Sequence, residues 1–146
     1  SRPAAASLRS ELEGLRSRVE RAVASPDSDE VTTLQSRVDP LLGEVSTLVR
    51  AGTDGPDLRG ADLAGQDLRE RDLHSAGLRG ALLLGTDLRG VDLAEADLLG
   101  ADLRGARVDG ADLSLALFLT QFQVNAARGD EQTRISATLD RPPHWV

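Results

Sequence analysis

The sequence predicts a β-solenoid whose coils are squares of four five-residue sides, preceded by a pair of α-helices. Two observations predict this architecture. A five-residue repeat runs without a frame shift through thirteen consecutive pentads, from residue 56 to residue 120. The first 52 residues lack that repeat and carry apolar residues at helical spacing instead. At 146 residues, the chain is long enough for one ordinary domain or two small ones.

Leucine occupies the centre of eleven of the thirteen pentads. Two residues before the centre eight pentads have Ala, one residue before it nine have Asp, and two residues after it eight have Gly. A period of five fits neither a helix nor a strand. It fits one side of a coil, with the central and the small residue turned to the axis and Gly at the corner. Four sides make a coil of about twenty residues, and stacked coils pair their backbones about 4.8 Å apart. The repeat therefore predicts a little over three coils.

The repeat also has a recognisable motif. The pentads Ala61–Gly65 and Ala101–Gly105 both read A-D-L-x-G. This motif resembles the pentapeptide-repeat family over residues 56–120. The resemblance implies a right-handed quadrilateral β-helix. The tail from Thr120 to Trp145 also resembles a segment that follows the repeats in many members of the family.

Two stretches of the N-terminal region carry an apolar residue every three or four positions. They are Leu8, Leu12, Leu15, Val19 and Ala22, and then Val31, Leu34, Val38, Leu41, Val45 and Leu48. Both predict amphipathic helices. Ser25–Asp29 predicts a link between them, and Pro40 a kink or restart in the second. We expect residues 1–52 to form a helical hairpin that caps the solenoid; a dimerising or partner-binding coiled coil and a partly disordered arm are the alternatives.

Both ends of the repeat carry signals of their own. In the first coil Gln66 and Arg71 take inward positions, and because a tight apolar axis excludes them, we expect that coil to be flared, with both side chains outside. At the other end Thr120 and Gln123 fit a capping box and Gly129 lies where a helix should stop. We therefore expect a short helix over residues 121–128, and a tail packed through His144–Trp145. The predicted divisions are residues 1–52, 53–120 and 121–146.

The composition argues against most catalytic and nucleic-acid-binding chemistry. Cysteine is absent, aromatic residues are 2% of the chain, the net charge is −7, and the two histidines, His74 and His144, are far apart. No nucleophile elbow, phosphate loop or zinc spacing is present. We expect no enzyme, no cofactor, no metal site and no direct binding of nucleic acid. No signal peptide or membrane-spanning run is visible, so we expect a cytoplasmic protein; the chain begins at Ser1, which leaves an upstream anchor open.

Stacking every twentieth residue assigns the outward positions to four faces. One face carries a column of Asp72, Asp92 and Asp112 beside which the repeat places no arginine. This column is either a solvated feature of the repeat or an acidic recognition strip. The adjacent face alternates the two signs of charge and predicts a ladder of ion pairs, each worth little. Its residues are Asp67, Asp87, Arg107, Arg69, Arg89 and Asp109.

Leucine breaks the pattern at five outward positions. They are Leu82, Leu84, Leu99, Leu117 and Leu119. Outward leucines are either covered by the terminal segments or form an interface with a partner. We call these five residues the leucine surface, and they are the candidate interaction surface.

Two hypotheses for function follow. The first is a non-catalytic protein–protein interaction or scaffold module, whose partner is another protein, a second copy in a homodimer, or a larger parent chain. The second comes from the resemblance, because some pentapeptide-repeat proteins are acidic rods that mimic duplex DNA and protect type II topoisomerases, a route to antibiotic resistance. Residues 54–120 carry thirteen acids and seven arginines, a net charge of −6. The repeat is short and mixed with arginine, which favours the first hypothesis.

Overall fold

The chain divides into two compact units, Ser1–Ala51 and Gly52–Val146. The computed structural model describes residues 10, 13, 14 and 28–146. In the first unit, helix α1 spans Ser28–Val49. The predicted first helix, over residues 8–22, lies outside the described residues apart from those three positions, so the hairpin stays a prediction.

Helix α1 buries the apolar stripe that its sequence predicts. Leu34 and Leu41 are buried, and Val38 and Val45 pack against them. The predicted restart at Pro40 is wrong, because the helix continues through that residue. A proline removes one N–H donor, but the stripe continues on both sides of it, and burial of an apolar face supplies most helical stability in proteins. The predicted link is also too long, since the helix already begins at Ser28.

The second unit is built from residues that pair with residues 20 positions further along the chain. On one face the parallel pairs are Asp57 with Gly77, Gly77 with Asp97, and Asp97 with Leu117. Each contact uses two hydrogen bonds: on the next face the Leu63 N–H donates to the Leu82 carbonyl, and the Leu82 N–H donates to the Ala61 carbonyl, both at 2.9 Å. A side is extended for only a residue or two before the next corner, so the pairs are mostly isolated bridges rather than long strands.

The pentad centres fill the axis of this unit. Leu78, Leu83 and Leu88 have no exposed surface, as the inward assignment requires. In the second and third coils the small residues two positions before the centres are also buried. The one with a hydroxyl is satisfied, because the buried Thr86 hydroxyl donates to the Leu63 carbonyl at 2.9 Å. In the first coil, by contrast, Gln66 and Arg71 are exposed at this inward position, as expected of a flared end.

The corners are tight turns with a glycine in the left-handed region. At the first corner the Ala61 N–H donates to the Leu58 carbonyl at 3.1 Å, and Gly60 between them has φ of +66°. A turn of this kind requires a positive φ at its third residue, which a side chain disfavours. The eight repeat glycines therefore mark eight such corners, with φ between +61° and +71°.

Helix α2 spans Gln121–Ala126 and interrupts the repeat. Its N-terminus has the expected capping box, since the Gln123 N–H donates to the Thr120 hydroxyl and the Gln123 side chain accepts from the Thr120 N–H. The helix is two residues shorter than predicted, because at Arg128 the chain is again extended and pairs with Arg107. Pairing with the coil therefore ends the helix before Gly129.

The tail continues as an incomplete last layer on the solenoid. Strand β1, Asp112–Leu113, pairs in parallel with strand β2, Arg134–Ile135. Trp145 is buried, and its indole N–H donates to the Ala127 carbonyl at 3.1 Å. Position 129 requires glycine because a Cβ there would lie 2.8 Å from the Trp145 ring. Its role is therefore to make room for this ring rather than to end the helix. Trp145 thus packs the tail onto the coil as expected, whereas the His144 side chain is exposed and reaches the same carbonyl at its margin.

Candidate interaction surface

The aspartates of the repeat have a local structural role. Asp92 Oδ1, for example, accepts a hydrogen bond of 2.8 Å from the N–H of Ala94, two residues on. All nine aspartates that precede a pentad centre make this contact: Asp57, Asp62, Asp67, Asp72, Asp87, Asp92, Asp97, Asp102 and Asp112. An aspartate that binds the backbone two residues on is a standard turn-forming device. The acidity of the repeat therefore has a structural cause.

The predicted charge ladder is present on its face. Arg69 contacts Asp67 in its own coil at 2.6 Å and Asp87 in the next coil at 3.7 Å. Arg89 contacts Asp87 at 2.6 Å. The hydrogen bonds from Arg69 lower the pKa of Asp67 to about 2. These groups satisfy one another on an exposed surface, so each pair contributes little to stability.

The acidic strip of Asp72, Asp92 and Asp112 is less acidic than its sequence column indicates. The repeat itself places no arginine beside the column, but the tail brings Arg134 to within 2.7 Å of Asp112 Oδ2. The hydroxyl of Ser114, together with Arg134, lowers the pKa of Asp112. Asp92 Oδ2 lies 3.1 Å from Nδ1 of His74. One of the three carboxylates, that of Asp112, therefore has a guanidinium beside it, and Asp92 has an imidazole as its neighbour.

The leucine surface is only partly covered. Leu82 is 41% exposed and lies between Asp62 and Asp102 in its column. The other four members of the leucine surface are half-buried. Each of them therefore keeps apolar area in contact with solvent, on a solenoid whose other outward positions are largely charged.

An apolar groove runs beside part of the leucine surface, between the third coil (residues 96–115) and α2. Its volume is about 490 Å³, and its apolar walls include Leu99, Leu103, Phe118 and Phe122. Phe122 stands at this groove with 78% of its surface exposed. Leu99 is the member of the leucine surface that the groove includes.

Sequence reasoning missed Phe122, because the capping box predicts where α2 begins but not which side of it faces the coil. The capping box fixes Gln123 at the third position of α2, where its amide is buried and donates to the carbonyls of Leu98 and Ala101 at 2.8 and 2.9 Å. A helix that turns this residue and Val124 inward must turn the residue before them outward. Burial of Gln123 and Val124 therefore leaves Phe122 on the solvent side of the helix.

Comparison with known proteins agrees with the repeat geometry. The family profile for pentapeptide repeats matches the chain in eight copies, over residues 72–110 and 81–118. The chain belongs to the pentapeptide-repeat family. Members of this family fold as right-handed quadrilateral β-helices, and at that level the predicted fold class is confirmed. No curated protein matches the chain.

Three solved pentapeptide-repeat proteins illustrate the similarity. The protein alr5209 from Nostoc Pcc 7120 is 34% identical, over 68% of this chain and 85% of its own, with a TM-score of 0.46. Rfr23 from the cyanobacterium Cyanothece 51142 is 26% identical, over 58% of this chain and 69% of its own, with a TM-score of 0.39. A protein of the Arabidopsis thaliana thylakoid lumen is 32% identical, over 57% of this chain and 61% of its own, with a TM-score of 0.25.

In residues 10, 13, 14 and 28–146, no group of three or more His, Asp or Glu side chains is arranged to hold a metal ion. The same residues include no helix long and apolar enough to cross a membrane.

Proposed function

We propose that the pentapeptide-repeat unit is a non-catalytic protein–protein interaction module whose binding site is the leucine surface. The observation that carries the proposal is the exposure of Leu82, together with a groove lined by Leu99 and the exposed Phe122. Exposed apolar patches on a soluble protein indicate sites of interaction. Aromatic side chains supply a large share of interface energy.

The coil makes this surface rigid. The backbone at Leu82 and Leu99 is hydrogen-bonded into the solenoid, since the Leu82 N–H donates to Ala61 and the Leu99 carbonyl accepts from Gly80, each at 2.9 Å. Binding therefore does not have to order this backbone, and a preorganised surface binds more tightly than a mobile one of equal area. The solenoid therefore supports recognition through fixed apolar positions.

The alternative, mimicry of DNA to protect a type II topoisomerase, draws its support from the family resemblance and the net charge of −6. The contacts of the carboxylates weigh against it. Asp67, Asp87 and Asp102 are each within 2.6 Å of an arginine on the same coil, and Arg134 lies beside Asp112. A duplex phosphate backbone carries only negative charges, whereas on this surface the acids alternate with arginines. The surface is therefore less similar to DNA than the number of acids alone indicates.

The test compares two variants of the full chain. Leu82→Ser/Leu84→Ser removes apolar area, whereas Asp72→Asn/Asp92→Asn/Asp112→Asn removes charge and keeps a side-chain oxygen for each turn. Partners are captured from a cell extract by chemical cross-linking and identified by mass spectrometry, and DNA gyrase supercoiling is assayed in the presence of each protein. We expect the leucine variant to lose the partner that the parent and the Asn triple both capture, with little effect of salt.

The gyrase assay decides against the proposal if its result is positive. Protection of gyrase by the parent, abolished in the Asn triple and retained in the leucine variant, would replace the proposal with DNA mimicry. Equal capture of the same partner by all three proteins would also refute a role for the leucine surface.

A further inference from the structure

We infer that Asp54 is a site of spontaneous backbone modification, at which its peptide bond to Gly55 rearranges into a β-linked isoaspartyl bond. The chain contains two Asp–Gly sequences, at residues 54–55 and 109–110. Glycine has no side chain to hinder attack of its nitrogen on the carboxyl group before it, so both sequences react in an unfolded chain. The fold holds the two peptides differently, and this difference selects Asp54.

The peptide between Asp54 and Gly55 is free to rotate. Asp54 is exposed and lies in a segment without regular secondary structure, just before the first coil. Within the described part of the chain, neither the Asp54 carbonyl nor the Gly55 N–H has a hydrogen-bond partner. Exposed segments with few hydrogen bonds rearrange at little cost in free energy. A rotation of this peptide therefore brings the Gly55 nitrogen to the Asp54 carboxyl group without breaking a hydrogen bond.

The peptide between Asp109 and Gly110 is held on both sides. The Asp109 carbonyl accepts a hydrogen bond from the Gly90 N–H, and the Gly110 N–H donates to Asp130 Oδ1, each at 2.9 Å. The same rotation here has to break both hydrogen bonds, and each of them lowers the population of the reactive conformation. We therefore expect Asp109 to isomerise at least about ten-fold more slowly than Asp54 in the folded protein.

The rearrangement needs no reactant other than water. The Gly55 nitrogen attacks Cγ of the protonated Asp54 carboxyl group, a C–N bond forms, and one water molecule leaves with the carboxyl hydroxyl and the proton of the nitrogen. The product is a cyclic succinimide. Water then adds to the former main-chain carbonyl carbon of Asp54 and breaks its bond to the nitrogen. The chain now runs through Cβ and Cγ, a free α-carboxylate remains, and mass and net charge are unchanged.

The β-linkage lengthens the main chain by one carbon outside the hydrogen bonds of the solenoid. Gly55 is seated against the second coil, since a Cβ there would lie 2.2 Å from the Ser75 carbonyl oxygen, and the Pro56 carbonyl accepts from the Gly77 N–H at 2.8 Å. The added carbon therefore lies before the first bridge, and the melting temperature of the solenoid should not change. The new α-carboxylate suits a carboxyl methyltransferase, which moves a methyl group from S-adenosylmethionine to a carboxylate oxygen and releases S-adenosylhomocysteine.

The experiment incubates the full chain at neutral pH in water enriched in heavy oxygen. Trypsin then separates the two Asp–Gly sequences into the peptides 51–59 and 108–128. Opening of the succinimide ring inserts one heavy oxygen atom, and fragmentation by electron transfer identifies the β-linked residue. We expect both signals to grow at least about ten-fold faster at Asp54 than at Asp109. In denaturant, where neither peptide is held, the two rates should be similar.

Two variants provide matched controls. Asp54→Glu keeps the charge, but its longer side chain does not close the same ring, so the label at residue 54 should disappear. Asp130→Ala removes the acceptor of the Gly110 N–H and should raise the rate at Asp109 while the rate at Asp54 stays the same. Equal rates at the two sites of the folded parent, a faster rate at Asp109, or a label at residue 54 that persists in Asp54→Glu would overturn the inference. None of these results bears on the proposed module, whose test depends on the leucine surface.

Discussion

Leu83 provides the most direct test of the inward assignment of the pentad centres. Its side chain has no exposed surface, and Leu63 and Leu103, the centres 20 residues before and after it, are also buried. The backbone around it is fixed on both sides, because the Leu83 N–H donates to Asp102 and the Leu82 N–H donates to Ala61, both at 2.9 Å. A cavity made here has little means of collapsing.

The expected magnitude follows from that rigidity. Truncation of a buried leucine to alanine costs about 2–5 kcal/mol, and the upper part of the range applies where the site cannot relax. We therefore expect Leu83→Ala to lower the free energy of unfolding by about 3–5 kcal/mol. In a unit of this size each kcal/mol corresponds to roughly 4–8 °C, so the melting temperature should fall by at least about 12 °C. Leu83→Arg places a charge on an apolar axis and should abolish cooperative unfolding.

Arg89→Ala is the matched control on the same coil. It removes an ion pair of 2.6 Å with Asp87 from the surface, so about 0.2–1 kcal/mol is expected. Thermal unfolding followed by circular dichroism compares the variants under one condition. Equal melting temperatures for Leu83→Ala and Arg89→Ala would refute the assignment of Leu83 to the axis.

Two further predictions concern the ladder and the glycines. Arg69 holds the pKa of Asp67 at about 2, below its value in an unfolded chain, so the stability from this ion pair is complete above about pH 4 and is lost as the pH falls towards 2. In a plot of melting temperature against pH, Asp67→Asn should therefore reduce the slope between about pH 4 and pH 2. An unchanged slope would contradict the pairing. Gly90 has φ of +71°, and a Cβ there would meet no other atom, so Gly90→Ala should lower the free energy of unfolding by about 1–2 kcal/mol through backbone strain alone. Gly129→Ala, in contrast, should displace the ring of Trp145, the single tryptophan, and shift its fluorescence. The same emission spectrum in both glycine variants would show that the tail does not depend on this contact.

The repeat made the solenoid predictable because every pentad poses the same physical problem. A central leucine must leave water, a glycine must turn the corner, and Asp must close the turn; eleven, eight and nine of the thirteen pentads carry these residues, all in one register. The exposure of Gln66 and Arg71 followed from the same reasoning, since neither side chain suits an apolar axis. The residue type at a known position of the repeat was sufficient to predict both the solenoid and the exposure of these two side chains.

The surroundings of the acidic strip were not predictable in this way. The pairs Arg107–Arg128 and Asp112–Arg134 are separated by 128 − 107 = 21 and 134 − 112 = 22 residues, so the 20-residue columns fail once α2 has intervened. The number of residues in a helix and in the loop that returns to the coil depends on three-dimensional packing, and the repeat pattern does not predict it. Arg134 therefore reached Asp112 without any signal in the repeat.

The 20-residue pairing also restricts how this protein can change length. Adding or removing four pentads returns every later residue to its original face and keeps each bridge with its neighbour. Adding one pentad after Leu82 preserves the local motif but moves everything after it to the next side of the square, so the segment carrying Phe122 would change its position relative to Leu82. Insertions and deletions within the repeat that keep the leucine surface on its present sides should therefore occur in steps of 20 residues rather than five.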